Sequence, residues 1–256
     1  MPSGRRFKSY CNAVVSLSAR YQAGEWAAVW HDIRTTPSSD LNNTDVDDVA
    51  SATMQRARIQ IHELASRFID MGLRSAGGVP VLTPPPSDVA ARLTVLERFS
   101  GRLPAALRAL MTHVGGISLM GDLPQLGLVY DAAGGIRTMP PGPPFADPLV
   151  IAGIEGLEYE LIEYRDDVDP NEHDPLILFA FAPDELHKAN ISGGEHTISL
   201  PSRAPDPVIA GIAGRPGITL VNYLRLSIAW GGLPGYSFAP RTAPERLSRL
   251  RADPRF

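Results

Sequence analysis

Ala57, Ile61, Leu64, Phe68 and Met71 lie four, three, four and three residues apart, a period that places all five on one face of a helix. The run begins near Thr44 or Asp45, with Asp47 and Asp48 set against the positive end of the helix dipole. Gly72 closes it, because glycine tolerates the left-handed conformation in which helices commonly stop. Two shorter stripes precede it. Tyr10, Val14, Leu17 and Tyr21 form one, ended by Gly24, and Trp26, Val29, Trp30 and Ile33 form the next. Turn and cap residues from Thr35 to Asn43 break the chain between them and the long helix. Three such helices make a small bundle, or a helical cap on the remainder of the chain.

Glycine and proline then punctuate the chain. Ser75-Ala-Gly-Gly-Val-Pro and Thr83-Pro-Pro-Pro-Ser cannot propagate a helix, and a boundary is expected there. Residues 1–82 form a helical N-terminal extension, 87–240 a second domain and 241–256 a polar, loose tail. Ser87 can cap a helix carrying Val89, Leu93 and Leu96 and stopped by Gly101; Pro104 opens another, with Leu107, Leu110, Met111 and Val114 inward. Past residue 116 short apolar runs alternate with turns: 117–120, 126–130, 149–151, 176–182 and 197–200. These predict strands, with 176–182 as a central one, and 131–148 is expected to be a loop. Glu155–Arg165 fits either period and is assigned to helix, because glutamate favours it. Thr219 starts the last clear helix, with Val221, Leu224 and Ile228 inward. The fold class is α+β.

Composition restricts function mainly by exclusion. The single cysteine, Cys11, rules out a disulfide framework and an all-protein thiolate zinc site. No run of about 18 apolar residues occurs, so no membrane helix is expected. The basic start around Arg5, Arg6 and Lys8 leads into a stretch too short and polar for an export signal, and a cytoplasmic protein is expected. Counting a calcium loop from Asp167 puts Glu172 where glycine is needed and Leu178 where the bidentate glutamate belongs. None of the six histidines forms a His-Glu-x-x-His pair, and Gly-x-Ser-x-Gly is absent. No metal, cofactor or catalytic set is therefore expected. A convergent enzyme site would announce itself by a pocket gathering His187 with carboxylates distant in sequence.

Charge is uneven. Residues 87–205 hold eight basic and seventeen acidic side chains, whereas 206–256 hold seven and three. Between Glu155 and Glu185 eleven carboxylates face Arg165 alone, which repels nucleic acid and suits capture of a basic protein. Glu158, Glu160, Glu163, Asp166 and Asp167 are the candidate contact surface. His187 and Lys188 are a second candidate: a compact ammonium beside an imidazole, in a chain with two lysines.

Three segments in order carry a family resemblance. Leu96-Glu-Arg-Phe-Ser-Gly-Arg-Leu-Pro through Thr112-His-Val-Gly-Gly resembles the opening signature of the SUKH superfamily: a helix with Leu-Glu, a glycine, Leu-Pro, a second helix and a glycine turn. Pro183-Asp-Glu-Leu-His-Lys-Ala-Asn-Ile-Ser-Gly-Gly and Thr219-Leu-Val-Asn-Tyr-Leu-Arg-Leu-Ser-Ile-Ala-Trp-Gly-Gly-Leu-Pro-Gly resemble segments of a bacterial branch that carries an N-terminal helical extension. Val114 stands where many members have asparagine. The resemblance implies an antiparallel or mixed sheet packed by helices, no enzymatic activity and no active-site residues to transfer. It also implies a protein partner, a toxin for the bacterial immunity proteins or a cellular partner for the fungal cell-wall regulators. The expected function is a non-enzymatic immunity protein that binds a basic toxin. The alternative is a regulatory scaffold acting through the N-terminal helices. On the first reading, a chain lacking residues 1–82 keeps its partner.

Overall fold

The computed structural model describes residues 15–130, 145–167, 176–212 and 214–256, with only the backbone of 164–167. Helices α1 (Leu17–Gln22), α2 (Trp26–Thr35) and α3 (Asn43–Asp70) form the predicted N-terminal group. Tyr10, Val14 and Cys11 lie outside the described residues. The long helix starts from Asn42, whose Oδ1 accepts from the Thr44 and Asp45 amides. Asp45 instead caps its neighbour, accepting from the Leu17 and Ser18 amides at 2.7 and 2.9 Å. The predicted stripe is inward: Ala57, Ile61, Leu64 and Phe68 are buried, as are Val29, Trp30 and Ile33 of α2. Trp30 is in the core, where its indole N–H donates to Thr53 Oγ1 at 2.9 Å. Trp26 lies partly buried under Arg56, and Trp230 under Arg251.

The segment expected to be a linker supplies strands. β1 (Arg74–Ser75) and β2 (Leu82–Thr83) precede α4 (Val89–Ser100) and α5 (Ala105–His113), and β3 (Gly116–Ser118) and β4 (Gly121–Asp122) come after them. β1 pairs antiparallel with β4, and β2 with β3. Two glycines permit this. A Cβ on Gly115 would sit 2.3 Å from the Thr83 carbonyl, and one on Gly121 would sit 2.1 Å from that of Arg74. The expected strand at 126–130 is replaced by a 3-10 turn over Pro124–Leu126 and an isolated bridge between Leu123 and Leu128. The loop reading of 131–148 falls on residues of which only 145–148 are described.

β5 (Val150–Ile151) completes a three-stranded sheet in the order β2-β3-β5. α6 (Ile154–Asp167) confirms helix for the ambiguous acidic segment. The chain continues through β6 (Ile177–Pro183), the one-turn α7 (Glu185–Lys188), β7 (Glu195–Leu200) and α8 (Leu220–Ala229). β6 is not a central strand: it pairs along one edge with β7, and across the other a single bond runs from the Ala152 amide to the Phe181 carbonyl. Alternation along this hairpin sends Phe179, Phe181, His196 and Ile198 inward.

The chain is α+β with a helical N-terminal region, and one hydrophobic core crosses the expected boundary between 82 and 87. α3 packs along α5 and reaches α8, and the buried cluster runs without a break from Tyr21 to Phe256. The C-terminal segment is not loose. Leu247, Leu250 and Phe256 are buried, and Arg225 Nε donates to the Phe256 carbonyl at 2.7 Å. No helix among the described residues is long and apolar enough to cross a membrane.

Candidate partner-binding groove

α6 turns Ile154, Leu157 and Leu161 into the core, so the glutamates between them point outward on two flanks. On one flank Arg92 of α4 grips Glu158 through both of its carboxylate oxygens and reaches Glu155 at 3.2 Å. A bidentate guanidinium–carboxylate pair satisfies both charges, so Glu158 is a tie between helices rather than a free contact. On the other flank Glu160 stands, half-buried, at an open groove. Its floor is made of small residues on three strands and their ends, Gly116, Ser118, Ala152, Ala180 and Ala182; its rim carries Glu155, Glu160, Glu195 and His187.

The electrostatics of this rim are unbalanced. Among the described residues no cation lies within ion-pairing distance of Glu160, Glu163 or Glu195. Partial burial, together with the charges of Glu195 and Glu163, pushes the Glu160 carboxyl above the usual glutamate range. Of the rim carboxylates Glu155 is paired with Arg92, whereas Glu160 and Glu195 repel each other and have no counter-ion among the described residues.

The expected site residues divide accordingly. Glu160 and His187 line the groove, and His187 is exposed. Glu163 is exposed one turn further along α6. Asp166 and Asp167 belong to the last turn of α6, with side chains outside the described residues; the rejected calcium loop falls almost wholly outside them too. Lys188 is the correction: its side chain is fully buried, so it presents no charge to a partner. Its Nζ lies 2.5 Å from Asp147 Oδ1 and 3.5 Å from Tyr223 Oη. A buried ammonium requires such a partner, and this one stands forty-one residues away in sequence. Burial acts to raise the Asp147 carboxyl, but the Lys188 charge and hydrogen bond, with His196 nearby, outweigh it and hold that carboxyl below its ordinary value. His196 Nε2 is 3.9 Å from the same oxygen, beyond hydrogen-bonding reach.

Glu155, Glu195 and Asp147 were not among the expected residues. Strand alternation holds the signal for Glu195, since Glu195 and Ser199 are exposed while His196, Ile198 and Leu200 are buried. The groove does gather His187 with carboxylates distant in sequence. Among the described residues, however, no three His, Cys, Asp or Glu side chains are placed to hold a metal ion. No family model, no curated protein and no solved structure matches the chain.

Proposed function

We propose that this chain is a non-enzymatic protein-binding module whose groove receives a basic surface of its partner, and that it acts as a SUKH-type immunity protein neutralising a toxin in the cytoplasm. The observation that carries the binding proposal is the half-buried Glu160, held beside Glu195 and Glu163 without a cation. Such a cluster works against the fold that contains it, and a cationic partner would relieve the repulsion. The immunity assignment rests on the three segments that resemble the SUKH superfamily. Around His187 the groove offers charge rather than an oriented acid–base pair, since among the described residues no hydrogen bond to its ring is present. The scaffold alternative has less to work with, because Val29, Trp30, Ile33 and Phe68 of the N-terminal helices are spent inside the core.

Affinity capture with the tagged full chain and with a Glu160→Lys/Glu195→Lys variant tests the proposal. The expected result is one basic partner, lost at higher salt and lost by the variant, toxic when expressed alone and harmless beside this chain. Equal capture by the variant would remove the groove from the interface. A cellular housekeeping partner would move the function to the regulatory class.

Glu160 also makes a prediction about pH. Because its folded carboxyl is raised, the folded state binds that proton more tightly than the unfolded chain does. Its ionisation therefore lowers stability at neutral pH, and the penalty fades as pH falls through the raised range. Glu160→Gln is expected to melt higher than the parent at pH 7, with the difference shrinking in acid. Its affinity for a basic partner should drop. For the parent, affinity should fall on acidification earlier than an ordinary glutamate would dictate. Thermal melts and binding isotherms across pH check both signs.

A further inference from the structure

α7 and the start of β7 each place neighbouring residues on opposite sides of one wall. His187 lines the groove while Lys188 points into the interior; Glu195 lines the groove while His196 is fully buried. Both groove residues are thus joined in sequence to members of the buried polar cluster. The turn between them is closed on itself. Asp184 accepts from the His187 amide at 2.7 Å and the Gly194 amide at 2.5 Å. A Cβ on Gly193 would lie 2.2 Å from Asp184 Oδ1, so carboxylate and backbone are in close contact. Such a unit moves as a whole, and its position depends on what it is fastened to.

Its ends are carried by the β6–β7 ladder, where Pro183 pairs with Glu195, and its inward face is fastened through Lys188 to Asp147. This residue is buried, at a φ of 52°, in the left-handed region that aspartate tolerates better than most. Its own segment is held elsewhere: the Leu149 amide donates to the Gly232 carbonyl and the Gly235 amide to the Ala146 carbonyl. An ammonium buried at Lys188 cannot leave this carboxylate without entering water or remaining unpaired. Lys188 and Asp147 also line a second cleft together with Glu185, on the far side of α7 from the groove.

We propose that Asp147 and Lys188 are positioning residues for the groove: their pair fixes the 184–195 turn, and so sets where His187 and Glu195 stand. This rests on the groove being the binding surface, and it adds a control point outside that surface.

The test uses the full chain as Lys188→Met, as Asp147→Asn, which tolerates the same left-handed backbone without the charge, and as the double variant. Hydrogen exchange is followed at the amides of 185–196 and of α3, and affinity is measured for a fluorescent nona-arginine peptide at low salt. Each single variant is expected to lose protection at 185–196 selectively and to bind the peptide about tenfold more weakly or worse, because one buried charge is stranded. The double variant strands no charge and should recover its melting temperature while the affinity stays low. Recovery of both, or protection lost equally throughout the molecule, would reduce the pair to core filling and overturn the proposal. Should a single variant not fold, the double variant decides. If the parent itself ignores the peptide, the groove assignment fails, and the exchange pattern alone judges the latch.

Discussion

A chain beginning at residue 83 is expected not to fold. The sequence suggests a detachable helical extension, and on that basis a truncated chain would keep its partner. The packing argues otherwise. Val49, Met54, Ile61, Leu64 and Phe68 of α3 are buried in the common core, and Leu64 and Phe68 close over Gly232 after α8. Their removal bares the side chains they cover in the rest of the core, and exposing about five side chains of this size forfeits about 10 kcal/mol at 1.5–3 kcal/mol each, comparable with the whole stability of an ordinary domain. The cut also removes β1, the strand partner of β4, and half of β2, together with the Ser51–His113 hydrogen bond of 2.8 Å and the Asp47–Arg102 ion pair. Circular dichroism melts and amide NMR dispersion of residues 83–256 should show no cooperative transition and collapsed shifts. A sharp melt with dispersed amides would mean that the second region carries a sufficient core of its own. Loss of partner by this truncation would therefore not implicate the helices in binding.

The second large effect is expected at Asp206. Its side chain is fully buried, pairs with Arg34 of α2 at 3.0 Å and accepts from the Val221 amide at 3.0 Å in the first turn of α8. One carboxylate thus ties an N-terminal helix to a C-terminal one across the core. Removing it strands a guanidinium and an orphan helix-end amide, so Asp206→Ala should lose about 3 kcal/mol in urea denaturation. Burial, the largest influence, pushes this carboxyl above the usual aspartate range despite the Val221 amide and Arg34. The folded state therefore binds this proton more tightly than the unfolded chain does, and ionisation detracts from stability as pH rises through the raised range. Asp206→Asn keeps an acceptor for Val221 without the buried charge, and should lose about 1 kcal/mol or less. Equal losses for alanine and asparagine would show that the ion pair, not the cap, makes the tie.

The long helices are legible in the sequence because their information is local. The stripe ending in Phe68 and the glycine stops repeat within one chain segment, and glutamate content suffices to assign the acidic helix α6. The two-residue strands β1 and β2 are not legible: they are specified by backbone partners on β4 and β3, and Gly-Pro punctuation there resembles any linker. The C-terminal segment misleads for a similar reason. Leu247, Leu250 and Phe256 are too widely spaced among arginines to form a stripe, and they are buried by receptors that α8 and earlier elements supply. For the site, acidic density points to Glu160, but which glutamates stay free depends on Arg92, more than sixty residues earlier. Lys188 stands out as unusual, but its inward direction depends on Asp147, which no spacing rule connects to it.

The three tryptophans give this protein a divided optical record. Trp30 is sealed in the N-terminal part of the core, Trp26 and Trp230 are stacked beneath arginines, and none lines the groove. Intrinsic emission therefore tracks the frame and is blind to the groove. A partner that docks without disturbing the core should leave the spectrum unchanged while a label near His187 responds. A shift in native emission on binding would signal that the helical frame itself has repacked.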